Sequence, residues 1–450
     1  MDQELDKILR RLEEAGFEAY LVGGSVRDDY LGIPPKDIDI ASSAKPEEVE
    51  ELFRDYKTLD IGKKYGTISL VLDREKIEIT TFRQDLAYKD HRHPEEVRFT
   101  PSLLEDLKRR DFTMNAMAKN RQGEVFDPFH GREDLDRGIL RMVGDPKDRL
   151  EEDALRILRG FRFASRFKLN LDPDFLDAAS LYKEGLTQVS RDRIRQEFFG
   201  LLLTDQPSYG LLLMEETGVL KILFPDLMAT VGFDQKNPYH KQTLFDHLLC
   251  VLDHTSAKLS TRLAALFHDI AKPQKAFYGK DGHLHFYDHD KEGALEADQI
   301  LKDLGAGKKL RTSVRALIQD HMTVQKVMTD KALRRQIKRV GRENVLDLYD
   351  LILADAACTA GPGSLDPLRA RKARVLDLLD EDLTKKENFL AINGHDLMDL
   401  GYPKGPLLGT ILRACQDLVL EDPEKNTQED LKKYVEERFK KQSWPRFLSK

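Results

Sequence analysis

Between Leu21 and Ile40 the chain has few ways to fold. Leu21 and Val22 run into Gly23-Gly24, Gly32 ends any helix begun there, and Pro34-Pro35 forbids its continuation. The stretch therefore predicts a strand, a glycine turn, a short helix, a proline turn and a second strand. Paired glycines before a helix N-terminus let backbone N–H groups approach an anion, and Arg27 one turn later adds a fixed positive charge. On the second strand Asp37 and Asp39 share one face while Ile38 and Ile40 take the other. Two adjacent carboxylates repel unless a cation lies between them, and Mg²⁺ suits such a pair when phosphate oxygens complete its shell. A triphosphate turn beside a metal-binding pair is the equipment of nucleotidyl transfer.

A 450-residue chain with 40% hydrophobic residues can bury several cores. Its net charge of −7 excludes a global basic signature, so any RNA contact must come from local patches. Cys250, Cys358 and Cys415 lie far apart with no CxxC, which predicts neither a disulfide framework nor a zinc knuckle and points to a reducing compartment. The N-terminus lacks a signal-peptide pattern and no apolar run approaches a membrane span, so the expectation is a cytoplasmic protein without membrane contact.

Residues 2–15 pattern as an amphipathic helix ending at Gly16, and Pro46 to Phe53 as another. Thr67 to Leu72 and Lys76 to Phe82 pattern as strands around Asp73-Arg74, completing an α/β unit with a mixed sheet. Glu78 on the second of these strands is a candidate third catalytic carboxylate beside Asp37 and Asp39. Residues 83–94 are polar and weakly periodic and predict a mobile loop, in which His91 and His93 have no metal-ligand companions. The dense cluster from Arg109 to Ala116 offers Arg110 for phosphate and Asp111 for a ribose hydroxyl.

Residues 151–167 predict one amphipathic helix. Arg156, Arg159, Arg162 and Arg166 fall within a sector of roughly 120°, opposite Ile157, Leu158, Phe161 and Ala164. Asp153 and Arg156, three apart, are expected to neighbour one another. Held in a pocket, such a pair is an acceptor beside donors. It matches the amino and ring-nitrogen edges of cytosine and adenine, and leaves the carboxylate unpaired against guanine O6 or uracil O4.

Gly23-Gly24-x-x-Arg27-Asp28 followed by Asp37-x-Asp39, then Arg109-Arg110-Asp111-Phe112-Thr113-x-Asn115-Ala116, then Glu152-Asp153-x-x-Arg156, resemble in order the signature of the class II CCA-adding enzymes and bacterial poly(A) polymerases. The likeness continues from Ser190 to Leu227, and more weakly from Asn393 to Pro406. It implies a nucleotidyltransferase head of the DNA polymerase beta superfamily followed by all-α neck, body and tail. It also implies Mg²⁺ at Asp37 and Asp39, and tRNA, ATP and CTP as partners. Nucleotide contacts would come from Gly23, Gly24, Arg27, Arg110, Asp111, Asp153, Arg156, Arg159 and Arg162. Arg110 and Asp111 would separate ribonucleotides from deoxyribonucleotides, and Asp153 with Arg156 would stand in for a nucleic-acid template. An enzyme adding only the final A shares every one of these motifs.

A second set of residues follows. His247, then His268-Asp269 in His-Asp-Ile-Ala-Lys, then His289, His321 and Asp355 resemble the ligand order of HD phosphohydrolases, which implies a divalent metal and hydrolysis of phosphate esters. A chain that is chiefly such a phosphohydrolase, with a nucleotide-sensing head, is the alternative from another class. His240, His254, His283 and His285 fall outside the pattern. The expected division is a catalytic head at 1–138, a helical neck and body at 139–235, the metal-site domain at 236–360 and a tRNA-binding helical tail at 361–450. In the tail, Lys440 to Arg446 sets the one tryptophan among cations, and Arg369, Arg371, Lys372 and Arg374 form another basic group.

Overall fold

The computed structural model describes residues 2–439 except 36, 61, 73–74, 89–93, 237–241, 281, 324–327, 360–364 and 381–389. His91, His93, His240 and the Lys440–Arg446 segment lie outside the described residues. The chain divides into two compact units, one of Met1–Val231 with Ile300–Ala306, the other of Gly232–Gln299 with Gly307–Lys450.

The first unit begins with α1 (Asp2–Glu14), β1 (Ala19–Val22), α2 (Gly24–Tyr30), β2 (Ile38–Ser42) and α3 (Pro46–Leu52). Strands β3 (Lys57–Leu59), β4 (Thr67–Leu72), β5 (Glu75–Thr81), β6 (Arg83–Tyr88) and β7 (Pro94–Phe99) follow, then α4 (Leu103–Lys108), β8 (Ala118–Lys119) and β9 (Val125–Phe126). One seven-stranded mixed sheet runs β3-β4-β5-β2-β1-β8-β9, with β2 and β5 parallel. Ile38, Ile40, Ile77 and Ile79 bury one face against Ile8, Leu9 and Leu12 of α1 and Phe53. Each such side chain contributes about 1.5–3 kcal/mol by leaving water. The opposite face of the same strands is thereby left to Asp39 and Glu78, as the two-residue strand period requires.

Two expectations are corrected here. Residues 83–94 do not form a loop throughout: β6 and β7 pair as an antiparallel ribbon, with Arg83 opposite Phe99 and Asp85 opposite Val97. Their composition gives no apolar alternation to mark strands in sequence, and β6 and β7 form a sheet of their own. The helix expected over 151–167 is two helices.

After α5 (Gly131–Asp136) and β10 (Ile139–Leu140) come α6 (Pro146–Glu152) and α7 (Leu155–Phe167). The break lies at Asp153, which is extended (φ −152°, ψ 99°) and accepts the backbone N–H of Leu155 at 3.1 Å. A short acidic side chain that caps the following turn competes with continuation of the preceding helix. Strand β11 (Asn170–Leu171) and helices α8 (Pro173–Tyr182), α9 (Arg191–Leu202), α10 (Pro207–Glu216), α11 (Val219–Leu223) and α12 (Pro225–Met228) complete the series.

The second unit is mainly helical. It holds α13 (Leu244–His254), α14 (Leu259–Phe267), α15 (Lys272–Lys275), β12 (Phe277–Tyr278), β13 (Leu284–His285), α16 (His289–Asp303, whose last turn belongs to the first unit), α17 (Lys308–Asp320), α18 (Asp330–Val340) and α19 (Val345–Cys358). Then come α20 (Asp366–Asp380), α21 (Gly394–Asp399), α22 (Pro406–Glu421) and α23 (Gln428–Arg438). Ile392, Leu397, Tyr402, Ile411, Cys415, Leu431 and Val435 form a core of their own. Cys250 and Cys358 are disulfide-bonded, against the expectation of unbonded cysteines. Their sequence separation of 108 residues left no local signal, and the pairing arises because α13 and α19 pack side by side. Burial pushes the thiol of the free Cys415 up to about 11. Among the described residues no helix is long and apolar enough to cross a membrane.

Candidate functional site

The head site is assembled by the register of β2 and β5. Asp39 pairs with Glu78 across the parallel ladder, so both carboxylates emerge side by side on the face opposite the isoleucines. Asp37 is exposed immediately before β2. Burial pushes Asp39 above the ordinary carboxylate range, as do the charges of Glu78 and Asp37, while Arg110 pulls the other way. A buried carboxylate beside two others fits a divalent cation. Lys76 Nζ lies 2.5 Å from Glu78 Oε1 and partly offsets that charge.

Beside this trio Gly23 adopts φ +70°, and a Cβ there would lie 2.8 Å from Arg110 Nη1. The backbone conformation calls for glycine, and a side chain there would push the end of Arg110 aside. Arg110 reaches Asp106 at 3.3 Å, and its buried Nε has no hydrogen-bond partner among the described residues. A buried donor left open beside a glycine turn suits an anionic oxygen. Arg27 has partners within the protein. It is 4% exposed, donates to Asp28 (2.6 and 2.8 Å) and to Asn115 (2.5 Å), and lies 4.4 Å from the centre of the Phe167 ring. Its charge is therefore already engaged within the protein, where it fixes α2 against Asn115 and α7.

Asp111 is likewise engaged. Its Oδ2 accepts from Arg159 at 2.6 and 2.9 Å, and its Oδ1 accepts from Asn115 at 3.1 Å and from the backbone N–H of Phe112 at 2.9 Å. Burial disfavours the charge, but Arg159, Asn115 and the Phe112 N–H outweigh it and hold the carboxyl down to about 2. Arg159 reaches Glu197 at 3.4 Å and Arg162 reaches it at 2.5 Å. Arg149 Nη2 donates to the backbone carbonyls of Arg109 and Arg110, tying α6 to that loop.

Asp153 and Arg156, expected to neighbour one another, each have other partners. Asp153 accepts from Arg193 on α9 at 2.6 Å, and Arg156 donates to Glu152 at 2.6 Å and to the carbonyl of Arg149 at 2.5 Å. Because the helix breaks at Asp153, the three-residue spacing no longer sets the two side chains on one helical face. Both remain buried, and Ile157, Leu158, Phe161 and Ala164 fill the core as expected. Arg193, Asn115, Glu152 and Glu197 had no assigned role in the sequence. Each lies inside or beside a quoted motif but declares a partner only in three dimensions.

In the second unit six residues expected as ligands meet. His247 Nε2 lies 3.2 Å from Asp355 Oδ1 and 3.8 Å from Asp269 Oδ2, and His268 Nε2 lies 3.3 Å from Asp269 Oδ2. His289 Nε2 and His321 Nε2 lie 3.2 and 3.6 Å from Asp269 Oδ1. The Nδ1 atoms of His268, His289 and His321 bond the carbonyls three residues earlier at 2.9, 2.6 and 2.6 Å. With Nδ1–H donated there, the neutral ring presents its Nε2 lone pair toward carboxylate oxygen, an arrangement that suits a metal ion between them. His268 Nε2, His289 Nε2 and Asp269 Oδ1 are buried with no hydrogen-bond partner among the described residues. Lys272, unassigned in the sequence, bonds Asp269 Oδ2 at 2.6 Å and Gln235 Oε1 at 2.9 Å. Cys250 lies three residues after His247 and Cys358 three after Asp355, so the disulfide ties together the two helices that carry these two residues. His254 Nδ1 lies 3.7 Å from each sulfur.

Against known proteins, residues 19–141 match the "Poly A polymerase head domain", 168–230 the "Probable RNA and SrmB- binding site of polymerase A", and 293–435 a model for domain 2 of tRNA nucleotidyltransferases. The CCA-adding enzyme of Streptococcus gordonii is 33% identical over 443 residues, 97% of each chain. The chain belongs to the CCA-adding enzyme family. Within that family the Ligilactobacillus salivarius member is 45% identical over 224 residues, so the match spans only 55% of that relative's length. The Bacillus stearothermophilus enzyme in complex with CTP superposes at TM-score 0.70, with 29% identity over 97% of both chains. Four of the six clustered residues, His247, His268, Asp269 and His289, fall between the second and third matched segments.

Proposed function

We propose that the protein adds C, C and A to the 3′ end of tRNA from CTP and ATP, without a nucleic-acid template and with release of pyrophosphate. The observation that carries this is the carboxylate trio beside the Gly23–Arg110 turn, in a chain whose relatives bear the name CCA-adding enzyme. Asp37 and Asp39, with Glu78 alongside, would hold two Mg²⁺, which when bound activate the primer 3′-hydroxyl and neutralise the triphosphate. Gly23 and Gly24 give the triphosphate close access to backbone N–H groups, and Arg110, Arg159 and Arg162 supply positive charge around it. Arg27 acts from behind, holding the turn through Asn115. Asp111 orients Arg159. Asp153 and Arg156 read the base once the nucleotide replaces Arg193 and Glu152 as their partners. The four-part division of head, neck and body, metal-site domain and tail remains our proposal, and the separate core from Ile392 to Val435 supports an autonomous tail. The basic group on α20 is largely paired, Lys372 with Asp350 at 3.4 Å and Arg374 with Asp330 at 2.5 Å, so we assign it no RNA contact.

A second reading concerns the other unit. We infer that His247, His268, Asp269, His289, His321 and Asp355 form an HD-type site that hydrolyses phosphate esters. A divalent metal bound there supplies an activated water and charge neutralisation for the ester. The cluster's imidazole-to-carboxylate geometry supports it. The test is a pair of variants. Asp39→Ala should abolish nucleotide addition while leaving metal binding by the second unit intact, and His268→Ala with Asp269→Ala should do the reverse. Near-normal addition by Asp39→Ala would refute the head mechanism. Mg²⁺-, Mn²⁺- or Ni²⁺-loaded protein that leaves 2′,3′-cyclic phosphates untouched would refute the second.

A further inference from the structure

The disulfide between Cys250 and Cys358 takes no part in either reading above. Its surroundings mark it as more than a brace. His254, one turn after Cys250 on α13, places its Nδ1 3.7 Å from each of the two sulfurs. The same Nδ1 bonds the carbonyl of Cys250 at 2.9 Å. A carbonyl only accepts, so Nδ1 carries a proton, and this N–H lies within reach of both sulfurs. The sulfur of a closed disulfide is a poor acceptor, whereas a thiolate released from it is a strong one. His254 is exposed and Cys250 partly so, which lets a small solute approach. An accessible disulfide with a donor waiting at the departing sulfur exchanges readily, because a stabilised thiolate leaves faster.

Opening the bond keeps the two cysteines near each other. Helices α13 and α19 pack side by side, and Gln242 Nε2, just before α13, donates to the Cys358 carbonyl at 3.2 Å. The pair is therefore positioned to close again. Cys415 does not compete, since it is buried and its thiol is pushed up to about 11.

We propose that Cys250, His254 and Cys358 form a thiol–disulfide exchange site whose reactants are low-molecular-weight thiols and their disulfides. A small thiolate attacks one protein sulfur, forming a mixed disulfide, and the other sulfur departs as a thiolate that accepts the His254 N–H. A second thiolate attacks the small molecule's sulfur in that mixed disulfide. The second cysteine then departs, and the small molecule leaves as its own disulfide. Two electrons enter the protein, and the protons of the two incoming thiols end on the two cysteines. The reverse sequence, begun by the small disulfide, closes the bond. His254 is equidistant from both sulfurs and so serves whichever one departs. Exchange thereby sets whether α13 and α19 are tied together three residues from His247 and Asp355. The proposal depends on neither reading of function above.

The full-length protein is equilibrated without oxygen in mixtures of reduced and oxidised glutathione, quenched in acid and alkylated, and the three cysteine peptides are quantified by mass spectrometry. Rates of opening by reduced glutathione are measured in the same way for wild type, His254→Leu and His254→Asn. Cys250 and Cys358 should pass together from thiol to disulfide across the range of mixtures, while Cys415 stays a thiol. In Cys358→Ser, oxidised glutathione should leave a mixed disulfide on Cys250. Opening should slow roughly tenfold in His254→Leu, the equivalent of one lost hydrogen bond to a charged sulfur. It should stay near the wild-type rate in His254→Asn, whose amide N–H takes the place of Nδ1. A pair that remains oxidised in excess reduced glutathione while the protein stays folded would overturn the proposal and make the bond a fixed brace. A pair that remains reduced in oxidised glutathione would overturn it as well. Equal rates in wild type and His254→Leu, or equal slowing in both variants, would remove His254 from the site.

Discussion

Replacing Asp111 by Asn tests whether the arginine lattice around the head site is held by charge. The carboxyl sits at about 2, against an ordinary value near 3.9, because Arg159 lies on it at 2.6 Å. A shift of about two units corresponds to roughly 2.5 kcal/mol. The Arg159 side chain is still 34% exposed, so solvent screening brings the expectation to about 1.5–2 kcal/mol. For a unit of this size that lowers the midpoint of its thermal transition by roughly 3–8 °C. The native pKa is depressed, so the stabilisation is fully present above the unfolded-state value and is lost only as pH falls through about 2. The wild-type-minus-variant gap should therefore be constant from about pH 8 to 5 and shrink only below about pH 4. Calorimetry at several pH values reads it. No gap at neutral pH, or a gap fading between pH 7 and 5, would refute the reasoning.

Gly23→Ala should cut nucleotide addition by well over tenfold in kcat/KM, since its Cβ would meet Arg110 Nη1 at 2.8 Å in a backbone conformation that disfavours side chains. Addition at the wild-type rate would show that this turn does not carry the triphosphate. Asp153→Asn can present an amide donor where the carboxylate only accepts, so incorporation of U and G, measured with single nucleotides, should rise while that of C falls. Unchanged selectivity would remove Asp153 from base reading. Reducing the Cys250–Cys358 bond, or Cys250→Ser, should lower the stability of the second unit by about 2–4 kcal/mol, as for other long closed loops, and weaken its metal affinity. A denaturation curve and a metal titration indifferent to dithiothreitol would show that the bond clamps nothing.

The sheet and the carboxylate trio were legible because strand alternation fixes which face a side chain takes, so Asp39 opposite Ile38 and Ile40 needed no tertiary information. Glu78 became the neighbour of Asp39 only through the β2–β5 register, which the sequence suggests but does not state. The partners of Asp153 and Arg156 were not legible because helical periodicity assumes an unbroken helix, and a single capping carboxylate ends it. That Arg27 also bonds Asn115 was not legible, because nothing local points to a residue 88 positions away. The His/Asp cluster was visible as an order of ligands, whereas the disulfide that braces it joins residues 108 apart and had no pattern to betray it.

The most direct test incubates the protein and Mg²⁺ with radiolabelled tRNA ending at the discriminator base or at CC, supplied with CTP, ATP or both. The account predicts two C residues from CTP alone and a terminal A once ATP is present. Extension of only the CC-ended tRNA, by one A, would contradict it and make the protein an A-adding enzyme.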